Sequence, residues 1–159
     1  MKIVISISSQ ELDLYDDNEN VIRQYCISSA KNGVAQVNGS FCTPLGKHII
    51  RVKIGAGQPV NAVFVRRRPT GEIYTSELGA RYPGRDWILT RIMWLSGCER
   101  GFNRLGAVDT MRRYIYIHGS PDSVEMGEPG SIGCIRMRND DLQELFSLVN
   151  TGTEVEISN

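Results

Sequence analysis

The strongest constraint on the fold is a period of two. Ile3, Ile5 and Ile7 alternate with Val4 and Ser6, and Leu12 and Leu14 alternate with Asp13. Alternation of this kind places one row of side chains on a core and the other on solvent, as in a half-buried β-strand. The acidic, Asn-containing stretch Asp16 to Asn20 reads as a turn, with Val21 to Ser28 returning as the second arm of a hairpin. Sixteen glycines distributed among such runs point to a turn-rich β protein. At 159 residues the chain fits one domain, and a domain of about 150 residues buries roughly 70% of its unfolded surface.

Further along, Lys31 to Gly46 is polar and closes with Thr43-Pro44-Leu45-Gly46, a turn before a strand over His48 to Ile54. Ile50, Val52 and Ile54 are expected to face inward, with Arg51 and Lys53 toward water. His48 opens this strand far from any partner pattern and reads as structural or solvent-exposed. Gly55 to Pro59 lacks the third glycine and the following helix of a nucleotide loop and is assigned as a turn. Asn61 to Arg68 reads as a strand ending in three arginines on a solvated edge. Loop-rich sequence follows, punctuated by Pro69, Gly71, Gly79 and Pro83-Gly84, before an apolar central strand at Trp87 to Leu95. A polar, glycine-rich segment from Ser96 to Arg113 leads into a strand at Tyr114 to His118. The one helical pattern is Leu142, Leu145, Phe146 and Val149, with Asn139 or Asp140 as cap and Gly152 as stop.

Charged residues balance at 18 and 18, which removes any general pull toward nucleic acid or anionic lipid. No run approaches the ~20 apolar residues of a membrane span. The first residues carry no hydrophobic core of a secretory signal and no cleavage site, so the sequence as given leads to a cytoplasmic expectation, periplasmic if a signal was removed. Cys26, Cys42, Cys98 and Cys134 show no dense framework and are expected as free thiols. With two histidines, no Cys-x-x-Cys and no His-x-x-x-His, neither a metal site nor a cofactor is expected.

The chemistry centres on Gly130-Ser131-Ile132-Gly133-Cys134-Ile135-Arg136-Met137 and on His118-Gly119 at the end of a β-type run. A thiol of free pKa about 8.5 becomes a usable nucleophile beside an imidazole base. The small residues before Cys134 permit a sharp turn and a close carbonyl approach, and the amides of Gly133 and Cys134 could then hold an oxyanion. Cysteines are more often inert core residues than nucleophiles, and both readings of Cys134 stand on pattern alone. Arg104, Arg112 and Arg113 are candidates for binding substrate carboxylates, though for any single arginine an ordinary surface or structural pair is the commoner role.

Taken together, His118-Gly119, the Gly/Pro-containing loop, Ser131-x-Gly133-Cys134-Ile135-Arg136-Met137, the short helix and the closing Gly152 to Ile157 resemble the YkuD-type L,D-transpeptidase catalytic domain. The opening Ile5 to Tyr15, Tyr25 to Ala30 and Thr43 to Gly46 extend the resemblance over nearly the whole chain. Two features depart from many members: Ile132 replaces a polar residue, and only twelve residues separate His118 from Ser131. The resemblance implies a mainly β, antiparallel sandwich or barrel with one clear short helix after the cysteine. It also implies Cys134 as nucleophile, His118 as base and Gly133 in the oxyanion site, with Ser131 and Arg136 beside the substrate and Arg136 as a structural or electrostatic support of the nucleophile loop; Arg104 and Arg112 join them as substrate candidates on their guanidinium donors alone. The implied reaction opens the L,D bond between meso-diaminopimelate and D-Ala in a peptidoglycan stem peptide or muropeptide, with carbapenems as covalent inhibitors. Without an export signal, an L,D-carboxypeptidase of murein recycling is the favoured form. A cross-linking L,D-transpeptidase and a non-catalytic module that binds peptidoglycan fragments are the alternatives.

Overall fold

A computed structural model describes all residues from 1 to 159. The chain forms β1 (Lys2–Ser6), β2 (Glu11–Tyr15), β3 (Val21–Ser28), β4 (Gly46–Ile54), β5 (Ala62–Val65), β6 (Arg68–Ile73), α1 (Ser76–Arg81), β7 (Ile88–Gly97), β8 (Tyr116–Gly119), β9 (Ile135–Met137), α2 (Asn139–Leu148) and β10 (Glu154–Ser158). The sheet runs β4-β10-β1-β2-β3-β9-β8-β7, and β4 pairs again with β7. That last pairing closes eight strands into a ring. The β5–β6 hairpin hangs from the first half of β7 as a flap.

Most pairings are antiparallel, but β1–β10 and β8–β9 are parallel. The parallel pairs follow from chain order: the last strand returns beside the first, and the loop from Ser120 to Cys134 crosses back so that β9 runs with β8. Along β1, β2 and β10 the expected alternation appears as Ile3 and Ile5, Leu12 and Leu14, and Val155 and Ile157 buried between partly exposed neighbours. These side chains join Ile27, Ile50, Met93, Leu95, Ile117, Ile135 and Met137 in one core, to which α2 adds Leu142, Leu145 and Phe146. Full burial of a side chain of this size contributes about 1.5–3 kcal/mol, so this single cluster dominates the stability.

The structure departs from the sequence expectation at four places. Arg66 and Arg67 do not extend a strand; Val65 pairs with Arg68, and the two arginines form the turn of the β5–β6 hairpin. Within the loop-rich segment lies α1, capped by Thr75, whose hydroxyl accepts from the Leu78 N–H at 3.1 Å. A bulge between Ile50 and Val52 breaks the alternation of β4. As a result Lys53 turns inward, and its ammonium donates to the carbonyls of Phe146 and Val149 at 2.6 and 2.7 Å. It thereby caps the C-terminal end of α2, where carbonyls lack helical partners and the dipole favours a cation. Both ends of α2 differ as well: Arg138 and not Asn139 or Asp140 is the N-cap, without a side-chain cap bond, and Gly152 lies in the turn after the helix, which ends at Leu148.

His48 is buried, with ring nitrogens 3.0 Å from the Gly46 carbonyl and 3.0 Å from the Thr110 hydroxyl. It is a satisfied core imidazole whose burial pulls the pKa down to about 4. All four cysteines are unbridged. No helix is long and apolar enough to cross a membrane.

Candidate active site

β8 and β9 lie side by side and parallel, with Ile117 opposite Ile135 and His118 opposite Arg136. Ile117 and Ile135 point into the main core, so Tyr116, His118, Cys134 and Arg136 belong to the opposite face. Cys134 stands one residue before β9 and packs with Tyr116, Phe64 and Ile92 in a second, smaller cluster. His118 and Cys134 are therefore diagonal neighbours on one face of adjacent strands.

The backbone around both residues admits little variation. A Cβ on Gly119 would strike the Asn139 side-chain oxygen and the Leu89 carbonyl. Asn139, at the start of α2, donates to the Ser120 carbonyl and to the Asn61 side chain, and it accepts from the Thr90 hydroxyl at 2.7 Å. The helix start is thus locked beneath the His118-Gly119 turn. On the cysteine side, Gly133 adopts φ 140°, outside the usual range of L residues. The Ser131 hydroxyl donates to the Cys134 carbonyl and accepts from the Gly133 N–H, while the Thr43 hydroxyl donates to the Gly133 carbonyl at 2.9 Å.

His118 is buried, and its Nδ1 lies 2.6 Å from the Gly119 carbonyl, an acceptor only. That contact assigns the proton to Nδ1 and leaves Nε2 as the basic nitrogen. The Cys134 Sγ sits between the Tyr114 carbonyl, to which it donates, and the Tyr116 N–H, from which it accepts, both at 3.3 Å. No hydrogen bond joins thiol and imidazole in this state. Burial pushes the Cys134 thiol up to about 12, partly offset by the Tyr116 N–H, and burial holds His118 below the ordinary imidazole value. Both groups rest neutral at pH 7, as a thiol and an imidazole rather than an ion pair.

Cys134 opens into a cleft of about 470 Å³ whose walls include Tyr114, Tyr116, Ile132, Asp86, Arg66 and Arg67. Ile132 is 57% exposed and gives this cleft an apolar rim. Several residues expected around the substrate are placed elsewhere. The Gly133 N–H is spent on the Ser131 hydroxyl, so the Cys134 N–H, which meets no protein acceptor, is the open amide donor. Ser131 is buried as a stitch of the turn and does not face the cleft. Arg136 lies behind the cleft wall, donating to the Gly130 carbonyl and to Asp86 at 3.2 Å. Arg104 and Arg112 are exposed and do not line the cleft. Arg113 does line it, but its guanidinium is committed to the carbonyls of Ala35, Gln36 and Cys42 and to the Ser40 hydroxyl. No group of three or more His, Cys, Asp or Glu side chains converges as metal ligands would.

Arg66 and Arg67 were read only as part of a solvated strand edge, and Asp86 was not singled out. A turn in the middle of the arginine run could have been found from the pairing partners on either side, Phe64-Val65 and Arg68-Pro69, but Arg-Arg is not a residue pair that turns favour.

The fold is a closed β-ring that sets a histidine and a cysteine on one face of two adjacent parallel strands. Residues 1–157 match the family described as YkuD, L,D-transpeptidase catalytic domain. The chain belongs to that family. It is 28% identical over 162 residues to the protein named "Probable L,D-transpeptidase YcfS" of Escherichia coli (strain K12), covering 99% of this chain and 43% of that one. It is 34% identical over 95 residues to the YkuD protein of Bacillus subtilis (strain 168), covering 60% of this chain and 48% of that protein. The chain thus spans less than half the length of these curated relatives. Among solved structures, a mutant L,D-transpeptidase from Enterococcus faecium superposes with a TM-score of 0.59 at 18% identity, covering 99% of this chain and 49% of the other. L,D-transpeptidase 3 from Mycobacterium tuberculosis, in complex with a faropenem-derived adduct, gives 0.56 at 15%, covering 99% and 59%. At these identities the structural likeness establishes the fold.

Proposed function

We propose that this domain opens the L,D-peptide bond between meso-diaminopimelate and D-Ala in peptidoglycan stem peptides through a Cys134 thioester. One observation carries the reading: Cys134 lines an open cleft while His118, on the same face of the neighbouring strand, keeps Nε2 free of a proton. In the first half-reaction the Cys134 sulfur bonds to the scissile carbonyl carbon, and the thiol proton passes to His118 Nε2. The Cys134 N–H donates to the oxyanion. Collapse breaks the C–N bond, and His118 returns the proton to the departing amine of D-Ala. In the second half-reaction water or an amine attacks the thioester, gives its proton to His118, and releases the thiol.

Thiol and imidazole rest neutral, so the reaction must move the Cys134 proton to His118 on the way to the thioester. Water as acceptor makes the domain an L,D-carboxypeptidase; a stem-peptide amine makes it a cross-linking L,D-transpeptidase. A carbapenem carries an acyl carbonyl for the same thiol and is expected to leave a stable adduct on Cys134.

The test is mass spectrometry of a disaccharide-tetrapeptide incubated with the protein and with Cys134→Ala, with a D-amino acid or a second stem peptide added in parallel. Cys134-dependent loss of D-Ala alone marks the carboxypeptidase. Exchanged or cross-linked product marks the transpeptidase. No Cys134-dependent product under any condition would remove both enzymatic forms and leave the binding module.

A further inference from the structure

The turn of the β5–β6 hairpin is built from residues that turns of its kind avoid. Arg66 and Arg67 are the two residues between paired Val65 and Arg68, and both are left-handed, at φ 49° and 65°. Two-residue hairpin loops with positive φ at both positions favour Asn-Gly, because a Cβ there crowds the following carbonyl. Neither arginine has an acidic partner, since the ion pairs of the chain are formed by Met1, Lys2, Arg23, Arg85 and Arg136. An observed strain of this kind, next to a cleft, is grounds for a functional hypothesis.

Arg67 is nevertheless held firmly. Its guanidinium lies over the Trp94 ring at 4.8 Å and the Tyr114 ring at 4.9 Å, and Nη1 donates to the Tyr116 hydroxyl at 3.0 Å. Trp94 is itself fixed, by its indole N–H on the Met111 carbonyl and by an edge contact with Tyr116. A guanidinium carries five N–H donors, and the protein engages only one of those on Arg67. The rest form an immobilised and unused fork, the geometry that matches a carboxylate.

The charge at the cleft points the same way. Of its charged lining residues, Arg113 is spent on backbone carbonyls and Asp86 is paired with Arg136. Arg66, Arg67 and Arg113 all lack an acidic partner, but only Arg66 and Arg67 keep their donors largely free. Tyr116 ties this charge to the chemistry, because its hydroxyl holds Arg67 while its backbone N–H donates to the Cys134 sulfur.

The geometry points to the Arg66–Arg67 turn as a carboxylate receptor for the acyl donor: Arg67 in its aromatic cradle binds a carboxylate away from the scissile carbonyl, and exposed Arg66 adds attraction. This specificity determinant rests on the reading of the substrate as an anionic peptide, but binding does not require the thiol chemistry.

The experiment is calorimetric binding of a tetrapeptide to Cys134→Ala protein, alongside a panel of tetrapeptides each with one carboxylate converted to a carboxamide. With the native turn, one amidated peptide is expected to bind about tenfold more weakly than the parent, or worse, the scale of one charge-assisted hydrogen-bond pair. Adding Arg67→Met should bring the parent down to that level and leave that amidated peptide unchanged, with Arg67→Lys intermediate. Replacing the turn by Arg66→Asn with Arg67→Gly should abolish the discrimination without lowering the melting temperature, which a purely structural role for Arg67 forbids.

Equal weakening of every peptide by Arg67→Met would overturn the receptor, as would discrimination that survives Arg67→Met or no binding of the parent at millimolar concentration. Turnover by the Cys134 protein is measured separately. Discrimination without turnover keeps the receptor and removes the acyl-transfer reading, while turnover with discrimination indifferent to Arg67 does the reverse.

Discussion

Cys134, the nucleophile of the proposed reaction, shows how its surroundings set the state of a thiol. Its sulfur is enclosed by the Tyr114 carbonyl, the Tyr116 N–H and a small apolar cluster, and that enclosure favours the uncharged thiol. Alkylation by iodoacetamide should therefore remain slow at Cys134 at neutral pH and accelerate well above the about 8.5 of a free thiol. Exposed Cys26 supplies the internal reference for peptide-resolved mass spectrometry across pH. Rapid modification of Cys134 near pH 6, ahead of Cys26, would mean a preformed thiolate and would refute the neutral-pair description. The same packing fits the glycines beside His118 and Cys134: at Gly119 a side chain would meet backbone and Asn139, and Gly133 holds a φ that L side chains avoid.

At the scale of elements, α2 is held at both ends by polar contacts that hydrophobic periodicity cannot reveal. Its first residue, Asn139, ties it to β7 and to the turn after β8, and Lys53 from β4 closes its last carbonyls. Substituting Lys53→Met keeps most of the apolar stem but removes two charge-assisted bonds. The expected loss is about 1–3 kcal/mol, read from urea denaturation. An unchanged midpoint would show that water caps α2 equally well. The helix itself was legible, since Leu142, Leu145 and Phe146 repeat at helical spacing, as were the strands whose faces alternate cleanly. Lys53 was not, because one bulge in β4 reverses which residues face inward, and no single-sequence pattern marks a bulge. The arginine turn was hidden for a related reason, its residues being those that hairpin loops disfavour. His118 and Cys134 were visible as types and spacing, whereas the commitments of Ser131, Arg113 and Arg136 depend on contacts between segments far apart in sequence.

For the whole molecule, the two buried imidazoles couple stability to pH. His48 has a folded pKa of about 4 against the ordinary imidazole value of 6.5, so between those values the unfolded chain binds the proton and the folded chain does not. The sign is that stability is complete above about 6.5 and is lost as pH falls toward 4. For His48 alone the loss between about pH 7 and pH 5 is on the order of 2 kcal/mol, and buried His118 adds in the same direction. Denaturation midpoints at the two pH values should differ accordingly, and His48→Asn should reduce the difference even where it lowers both. A pH-independent midpoint in the native protein would contradict the burial of both rings.

The parallel pairing of β1 with β10 fixes where anything joined to the domain emerges. Lys2 lies beside Glu154 at one rim of the ring, and Ser6 beside Ser158 at the other. Following the register through β2 and β3 to β9 puts Cys134 at the rim of Ser158. A purification tag or fused module placed ahead of Met1 therefore leaves from the far rim, clear of the cleft. One placed after Asn159 leaves from the rim of Cys134, but across the ring from β9.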